Sequence, residues 1–183
     1  MGTPEREREV NRPKLSLSPE EFQDFHAQTA RGLKSYLMRL TGNAATADEV
    51  LQEAYYKLLR AELPELGERE RKNYLFRIAT NLVRDLYRGK GEGALPLAEA
   101  AHAAAGTGLE QAPLRADVGK VLDTLKPRER ELVWLAYVEG SSHREIAQIM
   151  GLREVSIRPM LFRVRQKLAE LLKSLGYCER MVM

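Results

Sequence analysis

The side chains with the types and spacing to do chemistry fall into three groups in this 183-residue sequence, and none of the groups supports covalent catalysis. His26, His102 and His143 lie far apart, and no glycine-rich loop that could cradle a phosphate is present. No nucleophile can be paired with a base, and the single cysteine, Cys178, excludes an intramolecular disulfide. We therefore expect a protein that is not an enzyme and that uses no metal or cofactor.

The first group is a run of acidic and amide side chains near position 50. At about 100° per residue in a helix, these side chains share an arc about 140° wide, while Val50, Leu51 and Ala54 lie opposite. The arc contains Asp48, Glu49, Gln52 and Glu53. Two interpretations stay open from the residues alone: an ordinary solvated face, or a docking surface for a basic partner.

The second group lies between positions 71 and 90, where Asp85 is the single acidic residue among six cationic ones. Four polar residues recur at i, i+4, i+7 and i+11 and so share one exposed stripe: Arg77, Asn81, Arg84 and Arg88. Arginines at this spacing can follow a phosphate backbone, and an asparagine can bond to base edges. The interleaved aromatics Tyr74, Phe76 and Tyr87 can stack on unpaired bases. Core aromatics beside a solvated cationic face are the alternative.

The third group follows position 142 and has the pattern of a helix-turn-helix. Ser142 and Glu145 form a capping box, and Gly151 permits the left-handed turn that ends the first helix. The second helix has a buried stripe from Ile157 to Leu171. It presents cations, an amide and one aromatic ring that suit a major groove, namely Arg158, Phe162, Arg163, Arg165, Gln166 and Lys167. A plain helical hairpin is the alternative.

The elements that must position these groups are helices throughout, because no alternating strand pattern occurs. Ser18 with Glu21 and Thr46 with Glu49 form capping boxes that predict the starts of two helices. The basic group is predicted to have a buried stripe at helical spacing, formed by Leu75, Ile78, Leu82 and Leu86. The expected fold is all-α, with two small helical domains joined by a flexible linker and the helix-turn-helix in the second domain. The predicted parts are a mobile tail at 1–17, a first domain at 18–90, a linker at 91–113, a second domain at 114–176 and a tail at 177–183. The N-terminus is polar and no apolar run approaches the ~20 residues of a membrane span, so we expect a cytoplasmic protein.

The order of these motifs resembles that of the extracytoplasmic-function sigma factors of bacterial RNA polymerase. Three stretches carry the resemblance. They are ATADEVLQEAYYKLLR at 45–60, YLFRIATNLVRDLYR at 74–88 and LKPRERELVWLAYVEGSSHREIAQIMGLREVSIRPMLFRVRQKL at 125–168. The resemblance implies a factor that binds core polymerase, recognises −35 and −10 promoter elements and promotes melting of the DNA.

The resemblance also implies roles for individual positions. Asp48, Glu49, Gln52 and Glu53 would dock on a coiled coil of the largest polymerase subunit, and the second domain would lie near the flap region. The −10 set is Tyr74, Arg77, Asn81, Arg84, Asp85 and Arg88, with the loop at 63–70 capturing a flipped base. The −35 set is Arg153, Ser156, Arg158, Phe162, Arg163, Arg165 and Lys167. The linker would thread through the polymerase cleft, and an anti-sigma factor is an allowed further partner.

The sequence departs from the family at Pro159-Met160, where members usually have a small polar residue followed by arginine. Either the recognition helix begins late, capped by Ser156 with Pro159 in its first turn, or it begins at Glu154 and kinks at the proline inside it. Two other functions stay open beside the sigma factor. One is a helix-turn-helix regulator that acts without polymerase, and the other is a sigma mimic that sequesters an anti-sigma factor.

Overall fold

The computed structural model describes residues 17–61, 66–88, 121–122 and 124–174. Six helices have both ends in these ranges: α1 Pro19–Thr41, α2 Ala44–Arg60, α3 Glu68–Arg88, α4 Pro127–Tyr137, α5 His143–Met150 and α6 Glu154–Ser174. No strand occurs in the described ranges, and the predicted all-α fold with two helical domains is confirmed. The predicted linker at 91–113, residues 1–16 of the N-terminal tail, residues 114–120 of the second domain and the whole C-terminal tail with Cys178 lie outside the described residues.

The first domain is formed by α1, α2 and α3, which pack on one another. Helix α1 begins with the predicted capping box: the Ser18 hydroxyl accepts from the Glu21 amide at 3.1 Å, and the Glu21 carboxylate accepts from the Ser18 amide at 2.8 Å. The domain core is closed by fully buried side chains from all three helices: Leu33, Tyr36, Leu37, Leu58, Leu75 and Phe76. Burying each such side chain stabilises the fold by about 1.5–3 kcal/mol.

The second domain contains the helix-turn-helix, as the sequence predicted. Ser142 and Glu145 form the capping box of α5, and Gly151, at φ 64°, ends this helix in the left-handed conformation. Helix α6 then buries Ile157, Leu161 and Val164 against α4 and α5. The plain helical hairpin is thereby excluded, because two further helices, α4 and α5, hold α6 in place.

The two domains pack against each other, α3 on α5 and α1 on α4. Three glutamates of the second domain meet three cations of α3, in the pairs Arg84–Glu131 at 2.9 Å, Lys72–Glu139 at 2.9 Å and Arg69–Glu145, whose Nη2 and Oε2 atoms lie 2.8 Å apart. We call Glu131, Glu139 and Glu145 the interdomain glutamates. Helix α1 comes so close that a Cβ atom added to Gly32 would lie 3.2 Å from Glu139 Oε1.

Candidate nucleic-acid interface

The acidic face of α2 is gathered as the pattern predicted, on the side away from the core. Helix α2 buries Ala47, Val50, Ala54, Tyr55 and Leu58, which leaves Glu49, Gln52 and Glu53 exposed. Asp48 is half-buried and pairs with Lys34 of α1 at 2.7 Å, so part of the face is neutralised from a neighbouring helix. Glu53 forms a surface ion pair with Lys57 of the same helix at 3.8 Å, and both Glu53 and Glu49 remain exposed to a partner.

The start of α2 differs from the sequence expectation. A capping box between Thr46 and Glu49 would begin the helix at position 46, but α2 begins at Ala44. The side chain of Asn43 accepts a hydrogen bond from the Thr46 amide at 2.9 Å and is the actual N-cap. The shift lengthens the helix at its N-terminus and leaves the acidic face unchanged.

On α3 the predicted −10 set divides into exposed and engaged side chains. Arg77, Asn81 and Arg88 are exposed, with the Arg77 guanidinium 4.9 Å from the centre of the Tyr74 ring. Arg88 pairs with Asp85 at 3.4 Å on the surface. Arg84 has only 25% of its side chain exposed, because Glu131 of the second domain binds it.

The aromatic side chains of α3 are less available than the sequence suggested. Phe76 is buried and packs on the Tyr36 ring with 5.3 Å between centroids, so a role in base stacking is wrong for this residue. Tyr87 is half-buried and donates from its hydroxyl to the Thr41 carbonyl at 3.3 Å. The predicted buried stripe was also partly wrong, because Leu86 is exposed whereas Phe76, Ala79 and Val83 form the core side.

The pKa values of two interdomain glutamates, Glu131 and Glu145, are shifted from the ordinary value. Burial raises the pKa of Glu131 above its ordinary value, although the Arg84 guanidinium acts in the opposite direction. Hydrogen bonding from Arg69 is the largest cause that lowers the pKa of Glu145, to about 2, and bonds from Ser142 and Asn73 add to it. Glu145 is thus anionic at neutral pH, and it joins the capping box of α5 to the first domain.

The recognition helix α6 presents most of the predicted −35 set to solvent. Arg158, Phe162, Arg163 and Arg165 are exposed, and Arg153 is exposed in the turn before the helix. Ser156 is half-buried, and its amide donates to the Arg153 carbonyl at 2.9 Å. Lys167 differs from the rest because its ammonium binds Glu129 of α4 at 2.8 Å. Lys167 therefore helps to fasten α6 to its own domain.

The structure decides between the two explanations of Pro159. Helix α6 begins at Glu154, so Pro159 lies inside it, and the alternative of a late start capped by Ser156 is wrong. Proline removes the amide that would otherwise bond to the Val155 carbonyl. Met160 is half-buried against the core and so has a packing role.

Comparison with known sequences agrees with this geometry. Residues 25–92 match the sigma-70 region 2 family, and residues 115–168 match the sigma-70 region 4 family. RNA polymerase sigma factor CarQ of Myxococcus xanthus is 32% identical over 164 residues, which are 84% of this chain and 90% of CarQ. The chain belongs to the extracytoplasmic-function sigma factors. This family consists of non-enzymatic transcription initiation factors that bind core RNA polymerase and recognise promoter DNA.

Other relatives of this sigma factor agree. ECF RNA polymerase sigma factor SigE of Mycolicibacterium smegmatis is 32% identical over 141 residues, and the match covers 73% of this chain but only about half, 54%, of SigE. Two solved structures share the fold. CnrH in complex with the cytosolic domain of CnrY has a TM-score of 0.62 and 24% identity, over 86% of this chain and 90% of that one. The sigma factor RpoE in complex with the anti-sigma factor NepR from Bartonella quintana has a TM-score of 0.63 and 22% identity, over 84% and 98%.

Sequence reasoning about this sigma factor missed the interdomain contact. Glu131 and Glu139 carry no local signal, because their partners lie more than 45 positions away on α3, and Glu145 was interpreted only as a cap. Val155 was also not recognised as a surface residue of interest. It lies four residues before Pro159 and seven before Phe162, a spacing that places the three on one face of a helix. None of the described helices has the length and apolar character that crossing a bilayer requires.

Proposed function

We propose that this chain starts transcription by presenting three surfaces on three helices. The acidic face of α2 docks on core RNA polymerase, at a coiled coil of its largest subunit. Helix α6 enters the major groove of the −35 duplex, and α3 meets the melted −10 element. The second domain lies near the polymerase flap, the segment at 91–113 passes through the polymerase cleft, and the protein works in the cytoplasm.

The observation that carries the proposal is the orientation of α6. Its buried side chains, Ile157, Leu161 and Val164, fix it to α4 and α5, so the opposite side must face outward. On that outer side Arg158, Arg163 and Arg165 form no ion pair with any described residue. Unpaired arginines on a rigid, exposed helix suit phosphate and base contacts, because no bond inside the chain has to break first.

The −10 surface needs one further step, in which the domains separate. Arg84 cannot contact DNA while its guanidinium is bound to Glu131 at 2.9 Å. Lys72 and Arg69, at the N-terminal end of α3, are occupied in the same way by Glu139 and Glu145. We propose that polymerase holds the two domains apart, so that these three cations are released from the interdomain glutamates. DNA phosphates then bind the cations in place of the glutamates.

The described arrangement also suits regulation by a third protein. RpoE, which shares the fold, was crystallised with the anti-sigma factor NepR. We propose that an anti-sigma factor can bind the present chain while its domains are packed, since the acidic face of α2 stays accessible in this state. The experiment below also tests the sigma mimic, which would bind such a factor but start no transcripts.

The test is transcription reconstituted with a bacterial core polymerase on a library of promoter sequences. Transcripts from a shared class of promoters support the proposal. Binding to core without any start site would favour the sigma mimic, and binding to DNA without core would favour the simple regulator. Either result would overturn the assignment.

Docking by α2 is tested by reversing one charge. Glu49→Lys should weaken the affinity for core polymerase by about tenfold, because it places a cation opposite a basic partner. Glu170→Lys is the matched control, since Glu170 is also exposed but lies on α6. Affinity is measured by titrating labelled protein with core. Equal losses for the two variants would show that net charge, not the α2 face, controls binding.

A further inference from the structure

Helix α6 carries a line of exposed apolar side chains that lie outside the packed core of its domain. Val155 is 78% exposed and Phe162 is 57% exposed, and the ring of Pro159 between them is exposed too. Their spacing of i, i+4 and i+7 places them within about 60° of arc at 100° per residue. We call these three residues the apolar ridge. It lies opposite the buried side of α6.

The apolar ridge has cationic edges on both sides. At about 100° per residue, Arg158 and Arg165 fall on one side of the ridge and Arg163 falls on the other. All three are exposed, and none forms an ion pair within the part of the chain that the structure describes. This arrangement fits B-form DNA, whose major groove has phosphates along both walls and base edges on its floor.

A protein partner fits the ridge less well than DNA. Three unpaired arginines around three apolar side chains would each need an acidic counterpart, whereas a duplex supplies phosphates on both sides. A large exposed apolar side chain gains most when it is covered by a group of matching character. In the major groove, the one such group is the 5-methyl group of thymine.

We propose that the apolar ridge recognises thymine methyl groups in the −35 duplex, with Val155 and Phe162 as specificity-determining residues. Pro159 provides a rigid apolar ring between them, in a position where its side chain loses no rotational freedom on binding. The inference rests on the proposed function, because it assigns what α6 reads once it lies in the groove. It predicts that the preferred −35 sequences contain thymine at the steps that face the ridge.

The test begins with holoenzyme, assembled from the full chain and a bacterial core polymerase. Duplexes that are randomised in the −35 segment are selected for binding, and each enriched thymine is then replaced by uracil. Uracil keeps every hydrogen-bonding group of thymine and lacks only the methyl group. We expect binding to fall about threefold to fourfold for each methyl removed at a contacted step, the effect of one buried carbon.

Two variants assign the contacts to residues. Val155→Ser and Phe162→Ser should each abolish the preference for thymine over uracil at one step, while the arginines keep the overall salt dependence. Val138→Ser is the matched control, because Val138 is 59% exposed in the same domain but lies just beyond the end of α4. That control should keep the full preference for thymine at every step.

The outcomes separate this inference from the proposed function. If no duplex is selected at all, the sigma-factor assignment of α6 fails. If duplexes are selected but uracil binds as well as thymine, the inference is overturned and the proposed function stands. A change in oligomeric state or in holoenzyme assembly for Val155→Ser, with the thymine preference intact, would also overturn it, because the ridge would then be a protein contact.

Discussion

Helices α3 and α6 both carry arginines on the side away from their buried residues, yet these arginines differ in whether an acidic group of the chain binds them. Arg69, Lys72 and Arg84 of α3 are bound by the interdomain glutamates. The arginines of α6 have no such partners among the described residues. A basic helix is therefore not a free nucleic-acid surface by composition alone, since acidic groups elsewhere in the chain decide whether its charges are available.

The ion pairs of α3 also differ from one another in how much folding stability is lost when one partner is removed. The Arg84–Glu131 pair is largely buried, with Glu131 at 5% and Arg84 at 25% exposure, so each charge depends on the other. Arg69 is 70% exposed, and water replaces much of what Glu145 provides. Three predictions sharpen the comparison between α3 and α6, from the largest effect to the smallest.

The largest effect is expected at Arg84. Arg84→Ala should lower the free energy of unfolding by about 3 kcal/mol, because it leaves the buried Glu131 carboxylate without its counter-charge. Arg77→Ala, two positions earlier in the same stripe and exposed, should change it by less than about 1 kcal/mol, because its contact with the Tyr74 ring lies at the surface. Chemical denaturation at pH 7 measures both. Similar changes in the free energy of unfolding for the two variants would show that cations bound by interdomain glutamates and exposed cations of α3 do not differ in their contribution to stability.

A smaller effect is expected on α6, and on binding instead of folding. Arg163→Ala should weaken binding to every duplex by about fivefold and reduce the salt slope by about one, as the loss of one phosphate contact requires. Lys173→Ala, exposed near the end of the same helix, is the control. Affinities of holoenzyme are measured across a salt series. A loss confined to one DNA sequence would contradict the phosphate role and indicate base recognition.

The smallest effect is the acid sensitivity of the Glu145 contact. The pKa of Glu145 is lowered to about 2, so its contribution to stability is present above the ordinary value of 4.5 and is lost as the pH falls towards 2. Glu145→Gln should remove this part of the acid dependence and cost less than about 1 kcal/mol at pH 7, because Arg69 is well solvated. Stability measured between pH 6 and 2 tests it. An unchanged acid profile would show that the contact is not coupled to folding.

Local signals explain what the sequence could predict. The capping boxes at Ser18 and Ser142 and the turn at Gly151 depend on bonds between residues three to five apart, and all are present. The cap predicted at Thr46 failed because Asn43, three residues earlier, competes for the same role and binds the Thr46 amide. Patterns within one helix identify candidate caps but do not rank two that overlap.

Tertiary contacts explain what the sequence left out. Arg84 has the spacing of an exposed cation, and nothing in α3 indicates that Glu131 will cover it. Phe76 was grouped with aromatics that can meet bases, but Tyr36 of α1 takes it into the core. Similarly, nothing local shows that Lys167 bonds to Glu129. The surfaces could be found from one helix at a time, whereas their accessibility depends on the partner helix.

The carboxylate of Glu145 bonds both to the first domain and to the N-cap residue of its own helix. Its Oε1 atom accepts from Asn73 at 2.8 Å, and its Oε2 atom accepts both from Arg69 Nη2 at 2.8 Å and from the Ser142 amide at 2.7 Å. If the domains separate as proposed, the bond to Ser142 lies within the second domain and does not have to break, so the first turn of α5 would keep its cap. The second domain would then be released already assembled, and hydrogen exchange at the Ser142 amide should stay slow before and after release.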